Sequence, residues 1–222
     1  MGLPTVAMGI LGGLLSPLAA ASLLIVPSFV TNVWQLFAGP SFRSIVQRLW
    51  TMMAGIFAGT VASSSMLTGG NTARSTFLLG LSLTTYAAYA FLGRSCRISP
   101  AVEMWLSPVI GTATGLIAGA TGVFVIPAVP YVQALGFHKD DLVQALGLCF
   151  TVSTIALALG LASQGTFGME GLSISALAVV PALVGMWAGQ YVRRAVSPAI
   201  FKSSFLLALA LLGLEMMLRG IW

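Results

Sequence analysis

The chain has 222 residues, 58% of them hydrophobic and 7% charged, with a net charge of +5 and a mean hydropathy of +0.99. A soluble globular domain carries about 25% charged residues, so water is excluded as the solvent of this chain. Its five carboxylates and one histidine offer no plausible catalytic pair, so neither an enzyme nor a bound metal or other cofactor is expected.

Stretches free of Asp, Glu, Lys and Arg run over 1–42, 49–73, 75–93, 104–137, 142–169, 171–192 and 203–214. A spanning helix needs about 20 apolar residues, so most of these stretches cross a bilayer. Ser16-Pro17 divides the first into a short segment and a full crossing that ends near Gly39-Pro40. The apolar N-terminal run has no basic region ahead of it, so no cleavable signal peptide is expected. The stretch 104–137 would reach roughly 50 Å as a single helix, against a hydrocarbon core of about 30 Å. Gly119, Gly122, Pro127 and Pro130 predict a break within it. The expected fold is an all-α, polytopic transmembrane helix bundle of seven or eight membrane segments.

The positive charge gathers between these segments, at Arg43 and Arg48, Arg94 and Arg97, then Arg193, Arg194 and Lys202. Its plain reading is membrane orientation and contact with lipid headgroups, not nucleic-acid binding. Cys96 and Cys149 share no metal-ligand spacing, and a disulfide between them is not expected.

An internal repeat runs through the chain. The run Arg74 to Leu83 reads RSTFLLGLSL, and Lys202 to Leu211 reads KSSFLLALAL. Upstream, Gly55-Ile-Phe-Ala-Gly59 matches Gly185-Met-Trp-Ala-Gly189, both of the spacing that lets helix backbones approach in lipid. Leu3-Pro4-Thr5-Val6 matches Ile126-Pro127-Ala128-Val129, and Ser28 falls opposite Thr151. The organisation expected is a first repeat over 1–94, a basic connecting loop over 95–103 and a second repeat over 104–222. The second copy is preceded by an apolar segment, 104–122, that the first lacks, so the first repeat is expected to be incomplete and the full protein to carry about 20 to 35 further residues. Duplicated halves with interrupted helices are the plan of secondary transporters, which bind substrate at the repeat interface.

Most acidic residues and the histidine flank helices: Glu103, His138, Asp140, Asp141 and Glu170. Asp140 and Asp141 precede a helix expected from about Leu142 and suit its positive end. Glu215 lies inside an apolar run, with Arg219 four residues on as an ion-pair partner. Gln144 and Gln190 read as interhelical glue.

Residues 111–127, GTATGLIAGATGVFVIP, place glycines every three or four positions and then lose helical continuity. Tight packing is one reading of such a face. The functional reading is a broken helix whose freed amides near Thr121 to Val123 face a cavity and favour a small anion. Gly119, Thr121, Gly122 and Pro127 form that candidate site, with Pro4 as the first-half counterpart. Hydroxyls and an amide on the following helices would complete it, Thr151, Ser153 and Thr154 in one half and Ser28, Thr31 and Asn32 in the other. For the hydroxyls the alternative is a bond to the preceding helical turn.

Gly115-x3-Gly119-x2-Gly122-x4-Pro127, then Gly136 and the run Ala145 to Thr154, ALGLCFTVST, resemble the sulfite exporter TauE/SafE family, and the likeness extends over almost the whole chain. The resemblance implies a multi-pass transporter of the bacterial or archaeal inner membrane, built of two four-helix repeats and moving sulfite, sulfonates or related anions. Where that family often has three glycines, this chain has Val123-Phe124-Val125. The expected partners are therefore a small anion and the lipid bilayer. The competing readings are a substrate-free membrane assembly or scaffold protein, whose mark would be a dry repeat interface, and a transporter of a different small metabolite.

Overall fold

The computed structural model describes residues 3–92, 97–195 and 197–220, and every regular element among them is an α-helix. In chain order these are α1 (Leu3–Leu14), α2 (Pro17–Phe37), α3 (Phe42–Thr68), α4 (Thr72–Leu92), α5 (Pro100–Thr121), α6 (Ala128–Ala134), α7 (Lys139–Ser163), α8 (Met169–Leu177), α9 (Val179–Ala195) and α10 (Pro198–Arg219). Six spans among the described residues are long and apolar enough to cross a membrane: Pro17–Phe37, Phe42–Thr68, Thr72–Leu92, Ala101–Thr121, Lys139–Ser163 and Met169–Gly189. The last joins α8 to α9 across Ala178, just ahead of Pro181, and α1 is apolar but shorter than a crossing.

Local chemistry sets the boundaries. Ser16 adopts extended backbone and its hydroxyl accepts the Ala19 amide at 3.1 Å, with Pro17 in the first turn, so α2 starts where a donor needs capping and none is wasted. Asp140 and Asp141 lie inside the first turn of α7, a few residues earlier than the sequence suggests, and His138 occupies the capping position. The two carboxylates thus face the positive end of the helix dipole without capping it.

Within α2, Pro27 has no N–H for the Leu23 carbonyl. Ser175 of α8 fills the gap: its hydroxyl donates to Leu23 O at 2.9 Å and accepts the Val26 amide at 3.0 Å.

The core is a spine of α3 and α7. Ile45, Leu49, Met52 and Ile56, at intervals of four, three and four, are fully buried on α3, as are Leu146, Leu157 and Leu161 on α7. The tightest pairing joins α3 to α5, followed by α4 with α10 and α2 with α7. At the first of these, a methyl added to Gly59 would stand 2.6 Å from the Thr112 carbonyl and one on Gly55 2.7 Å from that of Pro108, so the glycines set the approach of the two backbones. The α4–α10 contact is of the same kind, with Gly213 against the Gly80 carbonyl.

Gln144, fully buried on α7, ties the loop between α2 and α3. Its amide donates to the carbonyls of Leu36 at 2.7 Å and Gly39 at 2.8 Å, and its oxygen accepts the Ser41 amide at 3.0 Å. It is the interhelical glue expected of it; the Gln190 side chain and Cys96 lie outside the described residues. Glu215 and Arg219 pair on α10, and Arg219 also reaches the Gly13 carbonyl at 3.2 Å.

Candidate functional site

The long stretch breaks within the predicted segment. Gly122 ends α5 with φ +72°, a left-handed conformation that a side chain would strain, and its amide bonds to Ala118 O at 2.7 Å. Thr121 turns its hydroxyl back to Ile117 O at 2.7 Å while accepting the Val123 amide at 3.2 Å. The next three amides, of Phe124, Val125 and Ile126, donate to nothing among the described residues. A cis peptide joins Ile126 to Pro127, and α6 begins at Ala128.

This non-helical segment borders a cavity of about 90 Å³. Helix α2 contributes Ala21, Leu24, Ile25, Ser28 and Asn32, one continuous helical face. Phe150, Thr154 and Leu157 form the matching stripe of α7, Thr5 and Met8 come from α1, Tyr86 from α4, and Val129 and Gln133 from α6. Among the described residues no Asp, Glu, Lys, Arg or His lines it.

Of the sequence-derived candidates, Ser28, Asn32, Gly122 and Thr154 converge on this cavity. Asn32 is 2% exposed, and neither its amide nor the Ser28 hydroxyl makes a hydrogen bond among the described residues. Their polar atoms open onto the cavity; the described side-chain atoms that are both enclosed and without a partner are Gln35 Oε1 and Thr60 Oγ1.

The other candidates are used elsewhere. Thr31 bonds back to the carbonyls of Pro27 and Ser28, Thr151 to Gly147, and Ser153 to Cys149. Thr154 also bonds back, to Phe150 at 2.7 Å, yet still borders the cavity. A hydroxyl at membrane depth satisfies itself most cheaply on its own helix, which explains the whole set. Gly119 is a packing residue, pressed against Ser63 and the Thr60 carbonyl of α3, and Pro127 is the residue before α6. The Pro4 side chain lies outside the described residues.

Sequence reasoning missed Met8, Tyr86, Phe124, Gln133 and Phe150. Gln133 carried a local signal: it is a polar residue one helical turn after Val129 in an otherwise apolar half-helix. Tyr86 carried none, because only packing of α4 brings it to the cavity.

A polar cluster holds α6 from its other side. Glu103, which the sequence places at a helix end, is there but buried at 7% exposure, paired through both oxygens with Arg48 of α3 at 2.6 and 2.7 Å. Arg48 also donates to the Leu135 carbonyl at 3.2 Å and lies over the Phe137 ring, 4.5 Å from its centre. The Tyr131 hydroxyl on α6 lies 2.7 Å from that of Ser107 and donates to the Glu103 carbonyl at 3.2 Å. Since α6 packs on few neighbours besides α5 and α7, these bonds fix where Val129 and Gln133 meet the cavity.

Comparison with known proteins identifies the family. The family model described as sulfite exporter TauE/SafE matches residues 1–216. No curated protein and no solved structure matches the chain. With nearly all of its length covered by that one model, and with apolar helices fit to cross a membrane, the chain is a membrane protein of the sulfite exporter TauE/SafE family, a family of transporters of sulfur-related anions.

Proposed function

We propose that the chain transports a small sulfur-containing oxyanion, sulfite or a sulfonate, across the bacterial inner membrane, and that the cavity between α2, α7 and the α5–α6 break is its substrate site. The observation that carries this reading is Asn32, nearly inaccessible and, among the described residues, without a hydrogen-bond partner on the cavity wall, beside a segment whose amides at 124–126 are likewise unpaired among those residues. Donors left open at membrane depth are costly unless something accepts from them, and an oxyanion accepts from amides and hydroxyls alike. A scaffold would have a dry interface here; a lined cavity speaks for a substrate.

The order of elements supports the two-repeat reading. Helices α1 to α4 are followed by α6, α7, the α8–α9 pair and α10 in the same sequence of short, long, long and long, with α5 ahead of the second set. Like elements also meet across the molecule, α2 with α7 and α4 with α10. The site then lies between the two halves, as in other duplicated transporters.

Flux of labelled sulfite and methanesulfonate into proteoliposomes tests the proposal, with Asn32→Leu and Gly122→Leu as controls. Flux abolished in both variants, with the protein still monodisperse, is the expected result. Wild-type vesicles no more permeable than empty ones would overturn it.

A further inference from the structure

Multi-pass proteins hold their Lys and Arg residues mainly on the cytoplasmic side of the membrane, so sidedness follows once the helix ends are sorted between the two faces of the bundle. We infer that the face formed by the α2–α3 turn, the α4–α5 connection, the end of α6 and the α9–α10 turn is the cytoplasmic one, seated against anionic lipid headgroups, and that the cavity opens toward it at Gln133. The inference needs only that the helices cross a bilayer and does not rest on the transport reading.

The α5–α6 pair decides the sorting. Helix α5 is long enough to cross, yet the chain then comes back. The Ile98 amide, just ahead of α5, donates to the Ala134 carbonyl at the end of α6 at 3.0 Å. Arg48, near the start of α3, holds both Glu103 in the first turn of α5 and the Leu135 carbonyl. The α5–α6 hairpin therefore enters and leaves on one face. Gln144 brings the start of α7 and the α2–α3 turn to that face as well. Helices α4 and α10 run antiparallel, with Gly80 beside Gly213 and Ala73 beside Gly220, which sets the start of α10 next to the end of α4. The far ends gather on the other face: Thr68 bonds to Gln164, whose amide reaches Ser64 Oγ at 2.9 Å, and Arg219 reaches the Gly13 carbonyl at 3.2 Å.

The charges divide unequally between these faces. Arg43, Arg48, Arg97 and Lys139 stand on the first, as do Arg193, Arg194 and Lys202 around the α9–α10 turn, and Arg94 falls in sequence between α4 and α5. Of the ten basic residues, that leaves Arg74 and Arg219 for the opposite face, and Arg219 is paired with Glu215. Had the stretch 104–137 crossed only once, every basic residue after it would change sides and the two faces would be evenly charged. The hairpin creates the asymmetry. Glu103, Asp140 and Asp141 share the basic face, but acidic residues weigh little in orientation. The cytoplasmic leaflet, rich in anionic lipid, attracts such a face.

The cavity meets the same side. Among the described residues that line it, Gln133 alone is exposed, and it directly precedes Ala134, whose carbonyl holds Ile98. Asn32, Ser28 and Thr154 are buried farther in, and so are Ala21 and Leu157 nearer the opposite face. Water therefore reaches the cavity past α6, from the basic side.

Thiol labelling of the full chain in bacterial membrane vesicles tests both parts. With Cys96→Ser as background and Cys149 buried, single added cysteines report alone. Ser99→Cys and Thr72→Cys put exposed thiols on the basic and the opposite face. A membrane-impermeant maleimide is expected to label Ser99→Cys in inverted vesicles and not in right-side-out ones, and Thr72→Cys the other way round. The reverse pattern, or either thiol labelled from both sides, would overturn the orientation. Gln133→Cys should be labelled from the same side as Ser99→Cys. No labelling at 133, or labelling from the other side, would overturn the opening while the orientation stands. Flux enters neither readout, so a failure of the transport reading is told apart from both.

Discussion

At the α3–α5 seam, glycines and hydroxylated residues bring two backbones into contact, and nearly everything polar is used. Ser63 bonds to Gly59 O at 2.9 Å and across the seam to Gly115 O at 3.3 Å, Thr112 and Thr114 bond back along α5, and Thr60 is left without a partner for its hydroxyl. The cavity between α2 and α7 draws on the same residue types, and among the described residues a side-chain amide, a hydroxyl and the backbone amides of Phe124 and Val125 stay open there. Small and hydroxylated residues in a membrane helix are therefore no evidence of a site. What distinguishes the cavity is that its open donors border free space, whereas the unpaired Thr60 hydroxyl is enclosed in the packed seam.

The contrast breaks most severely at the seam. Gly59→Leu drives a side chain into the Thr112 backbone, which cannot step aside, and should cost at least the upper end of about 1–3 kcal/mol for overpacking. Thermal unfolding in detergent will show this as a large loss of melting temperature or of folded protein altogether. Unchanged melting would mean that the seam is not close-packed.

Next comes the support of α6. Glu103→Leu removes the partner of Arg48, whose side chain is 38% exposed and so remains partly solvated. The expected cost is about 1–2 kcal/mol, less than for a fully buried pair. Hydrogen exchange should rise across Ala128–Ala134 and stay level in α3.

Ser175→Ala opens the two bonds at the Pro27 gap and should cost about 1 kcal/mol. Adding Pro27→Ala restores the N–H that Leu23 lacks, so in that background the Ser175 change should cost less than about 0.5 kcal/mol. A double-mutant cycle in thermal unfolding reads the difference, and equal costs in both backgrounds would contradict the repair.

The smallest effect on stability belongs to the site. Asn32→Leu gives up no hydrogen bond and should shift stability by no more than about 0.5 kcal/mol, while transport is lost. A strong destabilisation would show that Asn32 is structural.

The crossings and their breaks were legible because proline, glycine and charge punctuate the chain. Ser16-Pro17 and the Gly122 to Pro127 segment stand where the sequence puts them. Gly122 and Asn32 were also legible, and both line the cavity. The hydroxyls at 31, 151 and 153 were not, since a back-bonded serine or threonine looks the same in sequence as a free one. The ion pair of Arg48 with Glu103 spans 55 positions, and no local pattern links residues that far apart. Tyr86 and Met8 reach the cavity through helix packing, which periodicity does not encode.

Gln144 has a consequence for which sequences can occupy this fold. One side chain gives two hydrogen bonds and takes one, at three different backbone groups in a buried corner. Glutamate has the reach but no donors, lysine has no acceptor, and asparagine is one methylene short. Of these side chains only glutamine meets all three backbone groups, so a change at position 144 hands at least one of them to a rearranged loop between α2 and α3.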